Sequence, residues 1–262
     1  MTNQINPTVM HNKYIVPHCF QEFNELIALQ STRKGGVSED PYSSLNLGIN
    51  TEDSPEKVHT NTLRLCTAIG INPEQMVSSV QVHGTEILVA DNPGTYHGYD
   101  ALITGKKDLF LCIFTADCYP VLIFDHRHQA VGAVHAGWKG SAGRIVMKTV
   151  SAMQKNFNSI PAECFAYIGT GISAAAYEVG LEVAREFPQE NRRPSSLSEK
   201  NDKYCLDLSL ANYQQLLASG IPASNIERSR FCSFGDSDLF FSYRRDNGKT
   251  GRMVSLIGIR QQ

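Results

Sequence analysis

Apolar positions recur along this chain with two periods. From Ser54 to Gly70 they fall at helical spacing, with Val58, Leu65 and Ile69 on one face. Ser54-Pro55-Glu56 supplies a cap, a proline at the first position and an acid in the first turn, and Gly70 supplies a stop. A second helix is predicted from about Gly140 to Phe157, with Ile145, Thr149, Met153 and Phe157 on one stripe. A third spans about Leu181 to Phe187. A fourth runs from about Ser209 to Ser219, closed by Gly220 with Pro222 beyond. Short β-branched runs bounded by Gly, Pro or Asp predict strands at Met76–Val82, Glu86–Ala90, Ala101–Thr104, Leu109–Thr115, Val121–Phe124, Ala130–Val134, Phe165–Ile168 and Val254–Ile259. Several of these follow one another between residues 76 and 134 with no helix between them, which argues against a simple doubly wound βαβ sheet. The prediction is an α+β (α/β) fold of mixed sheets with helices packed outside. Gly35 to Tyr42 reads as a turn region and Pro188 to Asp202 as a surface excursion. There is no internal repeat and no low-complexity tract.

Composition narrows the classes. The 262 residues are 42% hydrophobic and 19% charged, as in ordinary globular chains. Against 26 Asp and Glu stand 24 Lys and Arg, a net charge of -2, so no general attraction for a nucleic-acid backbone exists, although a local basic pocket is compatible with it. The longest apolar run, Leu109 to Ala116, is far short of the ~20 residues of a membrane helix. Met1 to Met10 has neither a basic patch nor an apolar core of a secretion signal. Seven cysteines, an odd number with no CxxC pair, point to reduced thiols in a cytosol. Disordered, collagenous, coiled-coil and transmembrane classes are excluded.

Three segments end an apolar run with a reactive residue: Gln81-Val82-His83-Gly84, Thr115-Ala116-Asp117-Cys118-Tyr119-Pro120 and Val134-His135-Ala136-Gly137-Trp138. Strand ends backed by a rigid sheet are where folds place site residues. Two histidines and a cysteine suit a transition metal: Zn²⁺ takes imidazole nitrogen and thiolate sulfur and, in catalytic sites, keeps a fourth position open. Separations of 35 and 17 positions are too long for a zinc-finger loop, so the ligands must meet in space. Taken singly, each His also fits a hydrogen-bonded structural role, and Cys118 a small buried hydrophobe.

The runs Gln81-Val82-His83-Gly84-Thr85, Ala116-Asp117-Cys118-Tyr119-Pro120-Val121-Leu122 and His135-Ala136-Gly137-Trp138-Lys139-Gly140 resemble the three signature motifs of the YfiH/YlmD family, once called polyphenol oxidase or laccase-domain proteins. Thr32-Arg33-Lys34-Gly35-Gly36-Val37-Ser38, Ser44-Leu45-Asn46-Leu47-Gly48, Ala176-Tyr177-Glu178-Val179-Gly180, Phe241-Ser242-Tyr243-Arg244-Arg245-Asp246 and Gly251-Arg252 resemble its other motifs, in order, over about residues 20 to 260. The resemblance implies a YfiH-like α/β fold, with mixed sheets sandwiched between helix layers in a single domain over residues 1–262. It implies metal ligands at His83, Cys118 and His135, with Zn²⁺ favoured over Cu²⁺. It also implies phosphorolysis of purine nucleosides including methylthioadenosine, and adenosine deamination; some members are linked to editing of a cell-wall precursor. Lys139, where an Arg is usual, and Thr170, where a Pro is common, depart from the pattern.

Around that triad, Asp117 is a candidate proton shuttle, or else a turn carboxylate accepting backbone N–H bonds. Arg33, Arg244 and Arg245 are candidates for phosphate, which guanidinium groups hold bidentately; surface ion pairing with Asp246 is the alternative. Ser44 and Asn46 either cap turns or bind a nucleoside hydroxyl. Cys118 also reads as a nucleophile with His135 or His83 as base, which would make the chain a cysteine hydrolase. Trp138 reads as packing and the other six cysteines as core thiols. The expected partners are purine nucleosides and phosphate, with a cell-wall precursor as the alternative, and neither nucleic acid nor membrane. The chain has 8 histidines and one HxH, His126-Arg127-His128, an exposed turn. A multicopper oxidase needs many HxH pairs, so oxidase chemistry is disfavoured.

Overall fold

The computed structural model describes residues 9–195 and 203–261. In chain order its elements are β1 (Val9–Met10), β2 (Tyr14–Val16), β3 (Leu26–Ser31), α1 (Pro55–Ile69), β4 (Met76–Val80), β5 (Ile87–Val89), β6 (Gly94–His97), β7 (Ala101–Thr104), β8 (Phe110–Thr115), β9 (Tyr119–Asp125), β10 (Ala130–Ala136), α2 (Trp138–Ala142), α3 (Ile145–Phe157), β11 (Cys164–Ile168), β12 (Glu178–Gly180), α4 (Leu181–Ala184), β13 (Arg192–Pro194), β14 (Lys203–Leu206), α5 (Leu208–Ala218), β15 (Ile226–Arg228) and β16 (Met253–Ile259).

Two mixed sheets carry the core. One has seven strands in the order β1-β2-β3-β16-β8-β4-β6, the other six in the order β15-β11-β9-β10-β7-β5. The sheets pack face to face through Leu111, Ile113 and Ile257 on one side and Leu122, Phe124, Val131 and Ala133 on the other. The outer face of the first is covered by α1 through Leu65 and Ile69. The outer face of the second is covered by α3 and α5 through Ile145, Val146, Val150, Met153, Leu208 and Leu216. The result is the expected sandwich of sheets between helix layers. Layering explains the composition of β9 and β10, in which every residue is buried: a strand covered on both faces has no polar side to alternate with. A three-stranded sheet, β12-β14-β13, stands apart.

The first helix obeys its signals. Ser54 Oγ accepts from the Lys57 N–H, and Gly70 closes the helix in a left-handed conformation. The helix predicted over 140–157 is two helices. A Cβ on Gly143 would lie 2.6 Å from Thr85 Cγ2, and Arg144 turns the backbone to φ 60°. The Ser141 carbonyl and hydroxyl are met by Gln215 Nε2 and Asn212 Oδ1, so the chain end of α2 is satisfied by α5. The helix predicted from Leu181 to Phe187 is one turn, α4, followed by a turn that buries Phe187. Strand β3 was not anticipated. It lies between β2 and β16, and Gln30 from it bonds the backbone N–H and C=O of Thr170 at 2.7 and 3.1 Å. Within the Pro188 to Asp202 excursion, β13 pairs with β14, and residues 196–202 lie outside the described residues. His126-Arg127-His128 forms the turn between β9 and β10, with His126 Nδ1 on the Glu163 carbonyl and His128 Nδ1 on Asp125. Among the described residues no helix is long and apolar enough to cross a membrane.

Candidate metal centre and its cavity

The chain passes from the seven-stranded to the six-stranded sheet between β4 and β5, between β6 and β7, and between β8 and β9. The crossings carry His83, Asp100 and Cys118 respectively, and β10 brings His135 alongside. The expected strand ends hold only for His135, one residue from the end of β10. His83 and Cys118 sit in the crossing segments instead.

One ligand atom from each of His83, Cys118 and His135 lies within 4.8 Å of the others. The two imidazole rings stand edge to face, centroids 4.8 Å apart. Asp100, fully buried, organises the group. Its Oδ1 accepts from His135 Nδ1 at 2.8 Å and from the His83 N–H at 2.9 Å, and its Oδ2 accepts from the Val82 and Gly84 N–H groups at 3.2 and 2.6 Å. These bonds hold His83 in the left-handed region, φ 60°, which an L residue otherwise avoids. With Nδ1 of His135 committed, Nε2 is the nitrogen left for a ligand. Burial raises the Asp100 carboxyl, but the His135 hydrogen bond and the Gly84 and Val82 amides hold it below the usual range.

The donor set fits a metal on two further grounds. Gly137 follows β10 beside the three side chains; a Cβ there would lie 3.1 Å from Cys118 Sγ, 3.1 Å from His83 Cδ2 and 3.8 Å from His135 Cε1. Glycine keeps open the space that the donors share. Secondly, the thiol is prepared as a ligand. Burial by itself pushes Cys118 up, yet the charge of His135 and hydrogen bonds from His135 and His83 bring it down to about 6. Burial pulls His135 down, but the Cys118 thiolate and Asp100 carry it up to about 9.

The triad opens onto a cavity of about 520 Å³, in the range of small-molecule sites. Its wall includes Asp117, Trp138, Tyr177, Tyr243, Arg244 and Arg252. Asp117 has φ 93°, and its carboxylate is engaged on both oxygens: Oδ1 accepts from Ser233 Oγ at 2.6 Å and Oδ2 from the Arg244 N–H at 2.7 Å. These are bonds of the kind that a turn carboxylate makes, and the residue also lines the cavity. Trp138 is half-buried and packs on the core while lining the cavity.

Four predicted substrate contacts are not on the cavity wall. Arg33 donates from Nε to the Ser43 carbonyl and from Nη1 to the Ser237 carbonyl, its guanidinium over Phe241. Arg245 is paired with Asp246 and donates to the Ser233, Phe234 and Phe240 carbonyls. Ser44 Oγ donates to the Arg33 carbonyl and accepts from the Gly36 N–H. Asn46, fully buried, accepts from the Gly48 and Arg252 N–H groups and donates to Thr51 and Asp53. All four bind the chain to itself, because polar residues in a turn-rich segment are the nearest partners for its unpaired backbone groups. Arg244 alone of the predicted cations reaches the cavity. Asp100, Tyr177, Tyr243 and Arg252 had no assigned role. The last three sit in motifs already distinguished by sequence, whereas Asp100 carries no local signal beyond standing just before a strand.

The sequence profile of the family described as multi-copper polyphenol oxidoreductase laccase matches residues 27–260. A Bacteroides thetaiotaomicron protein named purine nucleoside phosphorylase is 40% identical over 242 residues, 87% of this chain and 90% of that protein. Escherichia coli YfiH, of the same name, is 36% identical over 248 residues, covering 94% and 98%. The crystal structure of YlmD from Geobacillus stearothermophilus is similar with a TM-score of 0.90 at 32% identity, covering 97% of this chain and 100% of that one.

Proposed function

Because the chain belongs to the laccase-like YfiH/YlmD family, we propose that it is a metal-dependent purine nucleoside enzyme. It cleaves adenosine, inosine and methylthioadenosine with phosphate, and converts adenosine to inosine. The observation that carries this reading is the convergence of His83, Cys118 and His135 on a cavity that also receives Arg244. Two imidazoles and a thiolate suit Zn²⁺, with Cu²⁺ the other metal that such donors take. A metal ion bound there supplies Lewis acidity and lowers the pKa of water.

The chain's own residues do the rest. Asp100 fixes the tautomer and orientation of His135 and the backbone of His83. Arg244 binds phosphate from the cavity wall, and Asp117 positions Arg244 by holding its N–H. The aromatic walls of Trp138, Tyr177 and Tyr243 suit a purine and its ribose. In phosphorolysis a phosphate oxygen bonds to C1′ as the C1′–N9 bond breaks; the electron pair leaves with the base, which takes up a proton. In deamination water adds at C6 and ammonia leaves. The two reacting carbons lie at different places on the substrate, so the cavity holds nucleosides in two poses.

The test is turnover of adenosine and inosine by metal-loaded protein with and without phosphate, beside Cys118→Ala. The expected result is phosphate-dependent release of base, some inosine from adenosine, and loss of both in the variant. Deamination that survives Cys118→Ala defeats the shared site. One arrangement favours a second reading: Cys118, His135 and Asp100 stand in the order of a nucleophile, base and orienting acid. Hydrolase activity that is fastest in metal-free protein would select it.

A further inference from the structure

We propose that Arg244 and Arg252 form a two-armed cradle for a tetrahedral dianion, held in position by Asp117 and Asn46. The cradle is argued from the geometry of the two arginines; naming its natural occupant as free phosphate rests on the phosphorolytic reading above.

The two side chains are built alike. The N–H of Arg244 is held by Asp117 Oδ2 at 2.7 Å, that of Arg252 by Asn46 Oδ1 at 2.9 Å. Nη1 of Arg244 donates to the Glu178 carbonyl, and Nη1 of Arg252 to the Thr250 and Gly251 carbonyls. The guanidinium of Arg244 lies over the Tyr177 ring at 5.2 Å and that of Arg252 over Tyr243 at 5.6 Å. Anchors at both ends fix each guanidinium before any ligand arrives. Its Nε and Nη2 then carry no hydrogen bond among the described residues, and neither group lies within ion-pair distance of a carboxylate there. Arg245, the neighbour in sequence, shows what a satisfied arginine looks like here, with every guanidinium nitrogen occupied.

Both arginines line one cavity, the one onto which the triad opens. Arg252 reaches it because residue 48 is glycine: a Cβ would lie 2.6 Å from Arg252 Cγ. The same Asn46 oxygen that holds Arg252 holds the Gly48 N–H, so that wall is fixed as a unit. The anionic groups near Arg252 are the Cys118 thiolate, which a bound metal engages, and the Asp117 carboxylate, whose oxygens both accept hydrogen bonds. Guanidinium forks match the oxygens of a tetrahedral anion, and a pair of them favours a dianion over a monoanion. Inorganic phosphate and the phosphate group of a nucleotide share this chemistry.

Calorimetric titration of inorganic phosphate into the metal-loaded protein and into Cys118→Ala tests the cradle. Phosphate is expected to bind both forms. Arg244→Gln and Arg252→Gln should each weaken it roughly tenfold or more, the scale of losing charge-assisted bonds, with metal content unchanged. Should Arg252→Gln fail to fold, Arg252→Lys carries the test, keeping the charge but losing the fork, with binding intermediate between wild type and no binding. Asp117→Asn, which keeps an acceptor, should raise the phosphate KM less than Asp117→Ala does. Phosphate binding that disappears with Cys118→Ala in a folded protein, or that is unchanged by either arginine variant, overturns the proposal. A parallel titration with adenosine monophosphate distinguishes the occupants: binding tighter than that of phosphate and adenosine together overturns free phosphate as the natural one. If phosphate binds as stated and no nucleoside is cleaved, the phosphorolytic reading fails alone. If nucleosides are cleaved with an unchanged phosphate KM in Arg252→Gln, the cradle fails alone.

Discussion

Asp100 and His135 are joined twice. The Asp100 carboxylate accepts from the imidazole Nδ1 at 2.8 Å, and the Asp100 backbone carbonyl accepts from the His135 backbone N–H at 2.7 Å. The second bond extends the β7–β10 ladder by one residue beyond the Val134–Ala101 pair. A ladder bond therefore sets the distance across which the side chains meet, and the imidazole enters the site with one rotamer and one tautomer. The same carboxylate holds the loop of His83, so a single buried acid aligns two of the three donors.

Asp100→Asn tests that role. An amide has one acceptor oxygen where the carboxylate offers two, so either the His135 imidazole or the 82–84 amides lose a partner. Metal affinity should fall roughly 10- to 100-fold, the usual range for an outer-shell partner, measured by competition against a chelator of known affinity. An unchanged affinity would remove Asp100 from the site.

Gly137→Ala should act by volume alone. The residue has φ −73°, which alanine adopts without strain, so the backbone has no reason to object. The new methyl, 3.1 Å from both Cys118 Sγ and His83 Cδ2, competes with the metal for space. The expected outcome is a folded protein with little bound metal, read by thermal melting and elemental analysis together. Full metal occupancy would show that the donors meet elsewhere.

Those donors were legible in sequence because each closes an apolar run with a small or turning residue. Mixed sheets with helices outside were legible from strand after strand without a helix between, and the sandwich itself was what the family resemblance implied. What failed was decided at a distance. The break at Gly143-Arg144 depends on Thr85, which excludes a side chain at Gly143, and on Asn212 and Gln215, which satisfy the end of α2. Strand β3 ends in Gln30 and Ser31, polar residues that read as a loop until the fold supplies their distant partners, the Thr170 backbone and the Val254 N–H. Arg33, Ser44 and Asn46 look like ligand-binding residues because polar side chains in a Gly-rich turn look the same whether they face a ligand or the turn's own amides. Only the fold says which, and here they face inward. Arg252 was visible in a motif, but its free guanidinium edge is a property of Asn46 and Gly48 placed beside it.

Metal uptake should depend on pH with a definite sign. Cys118 is held down at about 6 and His135 up at about 9. The depressed thiol stabilises the metal-free fold above its ordinary value, and this is lost as pH falls through about 6. The raised imidazole stabilises it below its own ordinary value, and this is lost as pH rises through about 9. Between the two the metal-free site holds a thiolate and an imidazolium. The thiolate is then ready to bind, but His135 must give up a proton first. Affinity should therefore rise with pH from about 6 to about 9, with about one proton released per metal near neutrality, measurable by titration in buffers of different ionisation enthalpy. An affinity that falls over that range contradicts the assignment of His135 as a ligand.

The same pair singles out Cys118 among the thiols. Burial pushes Cys66 up to about 11 and Cys164 up to about 12, and raises Cys112 and Cys19 further. Cys118 alone among those resolved is lowered, and it is half-buried on a cavity wall rather than enclosed. Alkylation follows the thiolate, although a more acidic thiolate is also a weaker nucleophile. The two effects largely offset, leaving Cys118 of the metal-free protein reacting roughly two- to fivefold faster at neutral pH than an ordinary thiol, and further ahead of the buried thiols whose values are raised. Peptide mapping after brief iodoacetamide treatment should find the label at Cys118, with a rate that climbs through a midpoint near 6. Metal loading should suppress it, because a coordinated sulfur has its electron pair engaged. Gly137→Ala, with its space closed to metal, should remain reactive under loading, which separates protection by coordination from protection by a tighter fold. Rapid labelling that persists in the loaded wild-type protein would mean that the sulfur is free while the metal is bound. That result would move Cys118 from ligand to nucleophile.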